Sequence, residues 1–365
     1  MATEGTFVLA DVSGYTSFLS GVGLEHAKVV TGHLFNSMLK ANQGHWKLAN
    51  IEGDCIFFYR EGREEPTQVL SHIHNLYERF CGQIIEISGG DACPCGACTR
   101  INHLALKFIV HAGQFGLQKI GKRQELFGPD VVLAHRLLKN SVTIDEYVLL
   151  TRSYAADVQA QELPAAKSGD QYEDIGPVQY TYLDLEPLRR RIETNNRFFL
   201  TPDQARIRLE IEIEAPPGSV WATASSMEKR EQWQGLKKIV ELPSRRGRIG
   251  QVHQCTYSHG GRVVEVTTAI DEASRRMTVK TFISRLIKDA YATVQVSERP
   301  GGGSRFGFYM TFRERIPVIS PVASGFLKLL VQRFQGRSMR RLKAMCEAEA
   351  VRAKPVTSDP ETRPR

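Results

Sequence analysis

Two acidic turns near the start of this 365-residue chain have the residue types and spacing of a cation site. Asp11 follows the short apolar run 7–10, which is typical of a buried strand. Asp54 lies in a Gly-Asp turn between two further strand-like runs, 46–51 and 55–59. Aspartates at the ends of neighbouring strands offer hard oxygen ligands, and Mg²⁺ is usually held by one or two carboxylates plus substrate phosphates. The pattern predicts a divalent-cation site; the alternative is that each Asp serves only as a helix cap or turn residue.

The residues after Asp11 suggest a neighbouring anion site. Ser13-Gly14-Tyr15-Thr16 presents backbone N–H groups at a predicted helix start. Such groups bind phosphate and other anions readily because they point outward and carry the positive end of the helix dipole. We interpret this turn as an anion cradle beside the cation site.

Three motifs in order along the chain resemble the catalytic domain of class III adenylate/guanylate cyclases. They are Asp11-Val12-Ser13-Gly14-Tyr15-Thr16, then Gly53-Asp54, whose Asp lies 43 positions (54 − 11) after Asp11, and the stretch 127–137. The resemblance implies an α+β fold: a ferredoxin-like βαββαβ cyclase-type domain over residues 1–185. It also implies a homodimer in which each subunit supplies half of each active site.

The resemblance also implies roles for individual residues. Bound Mg²⁺ or Mn²⁺ is assigned to Asp11, Val12 and Asp54. Arg136 is the catalytic residue that stabilises charge on the α-phosphate. The residues assigned to binding the nucleoside triphosphate are Gly14, Tyr15, Thr16, Asn50 and Glu125.

Several positions depart from the cyclase pattern. Asn50 stands where the family has a purine-reading Lys, and Glu125 stands where it has the Asp that assists that Lys. Val132 replaces the Asn that orients the ribose and the reaction centre. Loss of one such hydrogen-bond donor costs about 10²–10³ in rate, because positioning and charge stabilisation do the catalytic work. The metal-binding half of the site is therefore predicted to be intact and the base-reading half eroded.

A cysteine cluster falls between the second and third motifs. Cys93, Cys95 and Cys98 have a spacing that suits Zn²⁺, which takes four ligands in a structural site. The fourth ligand would be Cys81, His103 or a residue of another subunit; the alternative is a reduced cluster that only packs a loop. A similar insertion is found in a bacterial subgroup of cyclase-like domains of unassigned function.

The second half of the chain has a different pattern. We predict a linker over 186–203, then a strand of strict alternation at 207–213, two short helices, five more strands and a long helix over about 321–350. This order resembles the START-like (SRPBCC, helix-grip) family over 204–350, in which sheet and helix enclose a cavity for a hydrophobic ligand. His253, Tyr257 and Tyr309 are candidates to line it, or they are ordinary packing residues. Residues 351–365 are predicted to be a disordered tail.

Composition limits the function classes. The chain is 42% apolar with a formal net charge of +8, and no nucleic-acid motif accompanies the basic residues, so we expect no nucleic-acid partner. No stretch has the ~20 consecutive apolar residues of a membrane span, and the first residues lack the pattern of a signal peptide. We therefore expect a cytoplasmic protein without a transmembrane segment.

Two functions follow from these observations. The first is a divergent nucleotidyl cyclase that converts a nucleoside triphosphate to a cyclic nucleotide and pyrophosphate, tuned by a hydrophobic ligand in the second domain. The second is a catalytically inactive cyclase relative that binds a nucleotide or lipid-like ligand as a signalling module.

Overall fold

A computed structural model describes residues 2–89, 100–154, 165–244, 247–257, 261–282, 287–314 and 320–353. Within these ranges the chain forms two compact units, one up to residue 196 and one from residue 197 onward. The predicted zinc ligands Cys93, Cys95 and Cys98 lie outside the described residues. Among the helices described, none is both long and apolar enough to span a membrane.

The first unit is built on one sheet in the strand order β2-β3-β1-β4-β6-β8-β7, with β5 paired to β4 alone. Its strands are β1 (Thr3–Ser13), β2 (Lys47–Glu52), β3 (Cys55–Glu61), β4 (Ala105–Ile120), β5 (Arg123–Phe127), β6 (Tyr147–Thr151), β7 (Ala165–Tyr172) and β8 (Gly176–Asp184). The neighbouring order β2-β3-β1-β4 is that of a ferredoxin-like βαββαβ core, and this confirms the predicted fold class for the unit.

Helices cover both faces of this sheet. They are α1 (Tyr15–Ser20), α2 (Leu24–Asn42), α3 (Pro66–Gly89), α4 (Pro129–Arg136) and α5 (Glu186–Asn195). Because side chains alternate along a strand, Val8 and Ala10 face a core made with α2, α3 and α5, whereas Phe7 and Leu9 face a core made with α4. Asp11 has the parity of Phe7 and Leu9, so the sequence register assigns it to the α4 face.

Two local predictions differ from the structure. The sequence pattern predicts separate strands at 104–110 and 115–120, but β4 runs unbroken from Ala105 to Ile120 because β1 pairs with it as far as Thr3↔Phe115. We also predicted a linker from residue 186, yet Glu186–Asn195 is helix α5. Leu188 and Ile192 bury its apolar side in the core of the first unit, and Arg189 binds Glu146 at 2.7 Å.

The second unit is a seven-stranded antiparallel sheet packed against a long helix. Its strand order is β10-β11-β12-β13-β14-β15-β9. The strands are β9 (Ile207–Ile213), β10 (Leu236–Ser244), β11 (Gly247–Tyr257), β12 (Arg262–Asp271), β13 (Arg276–Phe282), β14 (Ile287–Glu298) and β15 (Ser304–Glu314), and the helices are α6 (Pro217–Ser225), α7 (Met227–Gln234) and α8 (Ser320–Ala353). Met339, Leu342 and Cys346 of α8 share one core with the sheet, which confirms the helix-grip architecture.

Candidate functional site

Asp11 lies near the end of β1, between two strands whose residues it faces directly. Its partner on β3 is Cys55, and its partner on β4 is Lys107. Burial raises the pKa of Asp11 above its ordinary value, the Lys107 ammonium opposes this shift, and the Asp54 carboxylate adds to it. Two predicted metal-binding carboxylates are therefore close enough to repel each other.

Lys107 supplies a fixed positive charge at this point. Its Nζ lies 3.2 Å from Asp11 Oδ2 and donates a hydrogen bond to the Leu138 carbonyl at 3.1 Å. Both members of the ion pair are largely buried, with 18% of the Lys107 side chain and 14% of the Asp11 side chain exposed. The ammonium is thus held between the Asp11 carboxylate and the chain just after α4.

Asp54 reaches the same place through a tight hairpin between β2 and β3. Gly53 has a φ of +61°, a conformation that glycine adopts without steric cost, and this lets Glu52 and Cys55 pair directly across the turn. The Val12 N–H donates to the Asp54 carbonyl at 3.0 Å, which ties the turn to the end of β1. Burial, with the Asp11 and Asp54 charges, raises the pKa of the Cys55 thiol well above its usual range.

The donor set fits a divalent cation in chemical type. Asp11 and Asp54 supply carboxylate oxygens, and phosphate oxygens of a substrate and water would complete the ligand shell of Mg²⁺ or Mn²⁺. Val12 is buried in the core beneath this edge, so only its backbone carbonyl could contribute. The Lys107 ammonium already offsets one of the two negative charges, which lowers the electrostatic gain from binding a cation.

The residues assigned to the anion cradle lie next in the chain. Gly14 has a φ of +82° and is the N-cap of the six-residue helix α1, with no side-chain cap. Tyr15 stacks on Phe35 with ring centroids 6.5 Å apart, so its ring packs against the core. Thr16 is exposed.

The Asn50 side chain forms two hydrogen bonds within its own strand. Its amide Nδ2 donates to Glu52 Oε1 at 2.9 Å, and its Oδ1 accepts from the Ile51 N–H at 2.8 Å. Both hydrogen bonds are local, and they follow from a bulge between Leu48 and Asn50 in the β2–β3 ladder. The side chain therefore satisfies its own strand.

The third motif gives an exposed face on β5 and α4. Glu125 pairs with Gln118 on the hairpin that β4 and β5 form beside the main sheet. Val132 is 52% exposed although it is apolar, and Arg136 is exposed one turn later on the same helix. None of the residues that the structure describes forms an ion pair with Arg136. Its guanidinium is therefore available to a partner or ligand.

The second unit contains a cavity of about 400 Å³ between α8 and strands β11 to β15. Its apolar wall is formed by Ala292, Phe308, Met310, Leu327, Leu330, Val331 and Phe334. Tyr257, a predicted lining residue, contacts it and packs edge-on against Phe334 with ring centroids 4.9 Å apart.

A buried ion pair borders this cavity. Arg230 of α7 donates from Nη2 to Glu265 Oε2 at 2.6 Å, and its Nη1 lies 3.2 Å from His253 Nδ1. His253 is thus buried beside Arg230 and is absent from the cavity wall. Tyr309 is also absent from the wall, because it alternates with Phe308 and Met310 and donates to Glu210 on the opposite face of the sheet at 3.0 Å.

Three groups that shape these sites are not evident from the sequence: Lys107, Arg230 and Glu265. Lys107 on β4 is the direct cross-strand neighbour of Asp11 on β1. The sequence alone does not show this, because it depends on the pairing of β1 with β4. Arg230 and Glu265 are charged residues in otherwise amphipathic segments and look solvent-exposed in the sequence. Only the tertiary packing of α7 against the sheet buries them.

Comparison with known proteins assigns the chain to a family. A protein of Mycobacterium tuberculosis described as uncharacterized protein Rv2561/Rv2562 is 34% identical over 154 residues, which is 42% of this chain and 72% of that protein. The chain belongs to the Rv2561/Rv2562 family.

Family models match a part of each unit of this chain. Residues 31–147 match a protein of unknown function family, DUF2652. Residues 204–347 match the family described as polyketide cyclase / dehydrase and lipid transport, so the second unit is an SRPBCC-type domain. This family match agrees with the helix-grip architecture seen in the sheet and α8.

Solved structures with low sequence identity are also similar. The guanylyl cyclase Cya2 is 15% identical with a TM-score of 0.40, over 50% of this chain and 92% of its own. The adenylyl cyclase CyaB from P. aeruginosa is 15% identical with a TM-score of 0.38, over 50% and 94%. Ara h 8.0201 is 17% identical with a TM-score of 0.33, over 39% and 97%.

Proposed function

We propose that this protein is a two-domain signalling module that binds a nucleoside triphosphate at the Asp11–Asp54 edge and turns it over poorly. Its second domain binds a hydrophobic small molecule in the cavity beneath α8. The observation that carries the proposal is the ion pair of Lys107 and Asp11 at 3.2 Å, which occupies a carboxylate that the cyclase reaction needs for metal.

The triphosphate is the ligand that suits this edge. Asp11 and Asp54 would hold Mg²⁺ or Mn²⁺, which neutralises phosphate charge and lowers the pKa of an attacking hydroxyl. Lys107 contributes a further positive charge, and Arg136 of a second subunit would contact the α-phosphate. Val132 offers that subunit's helix no hydrogen bond to the ribose, so the reacting hydroxyl is poorly oriented.

A homodimer forms part of this proposal. The β4–β5 hairpin and α4 expose several large apolar side chains on the first unit: Leu117, Ile120, Phe127 and Val132. Ile120 and Phe127 lie on one face of the hairpin, because Phe127 pairs with Gly116 and side chains alternate along β4. Exposed apolar surface of this kind is typical of protein–protein contact sites. A second copy placed on this face would bring Glu125 and Arg136 of one subunit to the acidic edge of the other.

An active cyclase is the second candidate, and one observation favours it. Asp11 and Asp54 supply two carboxylates against the single ammonium of Lys107, so negative charge is in excess at this edge. Excess carboxylate charge is the condition under which a divalent cation binds.

Cyclase assays with the purified full-length protein and each nucleoside triphosphate plus Mn²⁺ distinguish the two candidates. We expect little cyclic product from the unmodified protein and an increase of about tenfold or more in Val132→Asn, because an amide restores one lost donor. Asn50→Lys can be added to rebuild purine reading against Glu125. Val29→Asn, an exposed valine of α2, is the matched control and should change nothing.

The remaining outcomes would contradict parts of the proposed function. Rapid turnover by the unmodified protein that survives Arg136→Ala would show that these residue roles are wrong. If neither protein forms product but both bind the nucleotide by calorimetry, the first domain is a binding module alone. Absence of nucleotide binding would remove the triphosphate from the proposal.

A further inference from the structure

The cavity of the second domain has two polar side chains close together in a mostly apolar wall. Glu265 and Thr281 face each other across the β12–β13 ladder, and both line the cavity. Apolar residues of β14, β15 and α8 form most of the remaining surface, and Tyr257, Arg262 and Gln335 are its further polar residues. A ligand that fills this space therefore meets Glu265 and Thr281 together.

Thr281 has an unusual hydrogen-bonding state. The residue is 8% exposed, its Oγ1 is fully buried, and it has no hydrogen-bond partner among the described residues. A buried hydroxyl without a partner destabilises the folded state, so such groups are normally hydrogen-bonded. A ligand in the cavity would supply the missing partner.

Glu265 determines which polar group that partner carries. Its carboxylate is held at Oε2 by the buried guanidinium of Arg230, at 2.6 Å, which keeps it fixed and offsets its charge. An ionised carboxylate accepts hydrogen bonds and donates none, whereas the Thr281 hydroxyl does both. A ligand hydroxyl can donate to Glu265 and accept from Thr281, while a ligand carboxylate would place a second anion beside Glu265 with the available guanidinium already paired.

We infer that this cavity selects a neutral amphipathic molecule with a hydroxyl group at its inner end, and that it discriminates against the fatty acid of equal length. This inference rests on the proposed function of the second domain as a site for a hydrophobic ligand. It adds the chemical class of that ligand and the two residues that read it.

Displacement of the neutral fluorophore phenylnaphthylamine from the full chain tests both claims: that the cavity binds a hydrophobic ligand, and that it selects a hydroxyl group. The competitors are decanol, its isomer methyl nonyl ether, which cannot donate, and decanoate. We expect decanol to displace the fluorophore at a concentration at least about threefold to tenfold lower than either the ether or the acid, as one hydrogen bond allows.

Variants assign the discrimination to the two residues. Thr281→Val keeps the side-chain shape but removes the donor to the ligand oxygen, so it should weaken both decanol and the ether by about threefold to tenfold. Thr311→Val is the matched control, because Thr311 follows the cavity residue Met310 and points to the other face of β15. Glu265→Gln should narrow the gap between decanol and decanoate in any preparation that folds.

Two outcomes distinguish failure of the hydrophobic-ligand function from failure of the hydroxyl selection. If the fluorophore does not bind, or no competitor displaces it, the hydrophobic-ligand function itself fails. If all three competitors displace it equally and Thr281→Val behaves as Thr311→Val does, the cavity binds apolar molecules but the hydroxyl selection is overturned.

Discussion

The two domains each place a basic side chain against a buried carboxylate, but the charges balance differently. In the first domain Lys107 faces Asp11 with a second carboxylate, Asp54, close enough to raise the pKa of Asp11. In the second domain Arg230 meets Glu265 alone, at 2.6 Å, with His253 and Gln234 as further polar neighbours. The first site keeps a surplus of negative charge and suits a cation with phosphate. The second is neutral as a whole and suits an uncharged ligand.

The largest expected effect comes from breaking the balanced pair. Arg230→Met should lower the free energy of unfolding of the second domain by about 3–5 kcal/mol, because it leaves Glu265 as a buried, unpaired charge. Urea denaturation followed by tryptophan fluorescence measures this, since Trp221 and Trp233 lie in that domain.

Two companion variants interpret this result. Arg313→Met removes an exposed arginine 4.0 Å from Asp289 and should cost less than about 1 kcal/mol. Arg230→Met combined with Glu265→Leu should recover part of the loss, since no charge is then left unpaired. If Arg230→Met lowers the free energy of unfolding no more than Arg313→Met does, the Arg230–Glu265 pair behaves like an exposed ion pair. That result would contradict the prediction.

The second prediction concerns the surplus of charge in the first domain. Lys107→Met should increase Mn²⁺ affinity by about tenfold, because two carboxylates then share the site without an internal cation. Titration calorimetry measures the change. Lys47→Met is the control, since that lysine is exposed on β2 and pairs with Glu61 at 2.6 Å. Unchanged Mn²⁺ binding in Lys107→Met, or binding that survives Asp11→Ala with Asp54→Ala, would contradict a metal site at this edge.

The smallest expected effect is a pH dependence of stability. The pKa of Asp11 is raised above its ordinary value of 3.8 in the folded chain, so the folded state binds this proton more tightly than the unfolded state. The contribution of Asp11 to stability is therefore complete below pH 3.8 and is lost as the pH rises through the folded pKa. Asn cannot ionise and has no such loss.

Asp11→Asn should accordingly gain stability relative to the unmodified protein as the pH rises from about 3.5 to 7, and then level off. Urea midpoints of both proteins across this range give the difference. A difference that moves in the other direction would mean that the Lys107 ion pair outweighs burial and the Asp54 repulsion, so that the first site is as balanced as the second.

Patterns of side chains along the chain predicted the larger features. The strict alternation of Ile207 to Ile213 predicted a strand correctly, because burial on one face imposes that period. The acidic turns were placed correctly for the same reason: they follow strands. The break expected at His111 to Gly113 was wrong because pairing with β1 holds this stretch in one strand.

The chemistry of both sites depended on contacts that the sequence does not encode locally. Lys107 meets Asp11 across 96 positions (107 − 11), and Arg230 meets Glu265 across 35. A charged residue reads as solvent-exposed until the element that covers it is known. The local hydrogen bonds of Asn50 were likewise not apparent from the sequence, since its amide contacts Glu52 and Ile51 beside a register shift in the β2–β3 ladder.

The central position of β1 has a consequence for synthesis of the chain. Its apolar residues Phe7, Val8 and Leu9 emerge first, yet its partners on β4 lie 92 (105 − 13) to 112 (115 − 3) residues later. Pairings this distant in sequence form slowly, and unpaired apolar strands aggregate while they wait. A nascent chain that ends before residue 115 thus lacks part of the β4 partner of β1, which leaves an apolar strand edge prone to aggregation during translation.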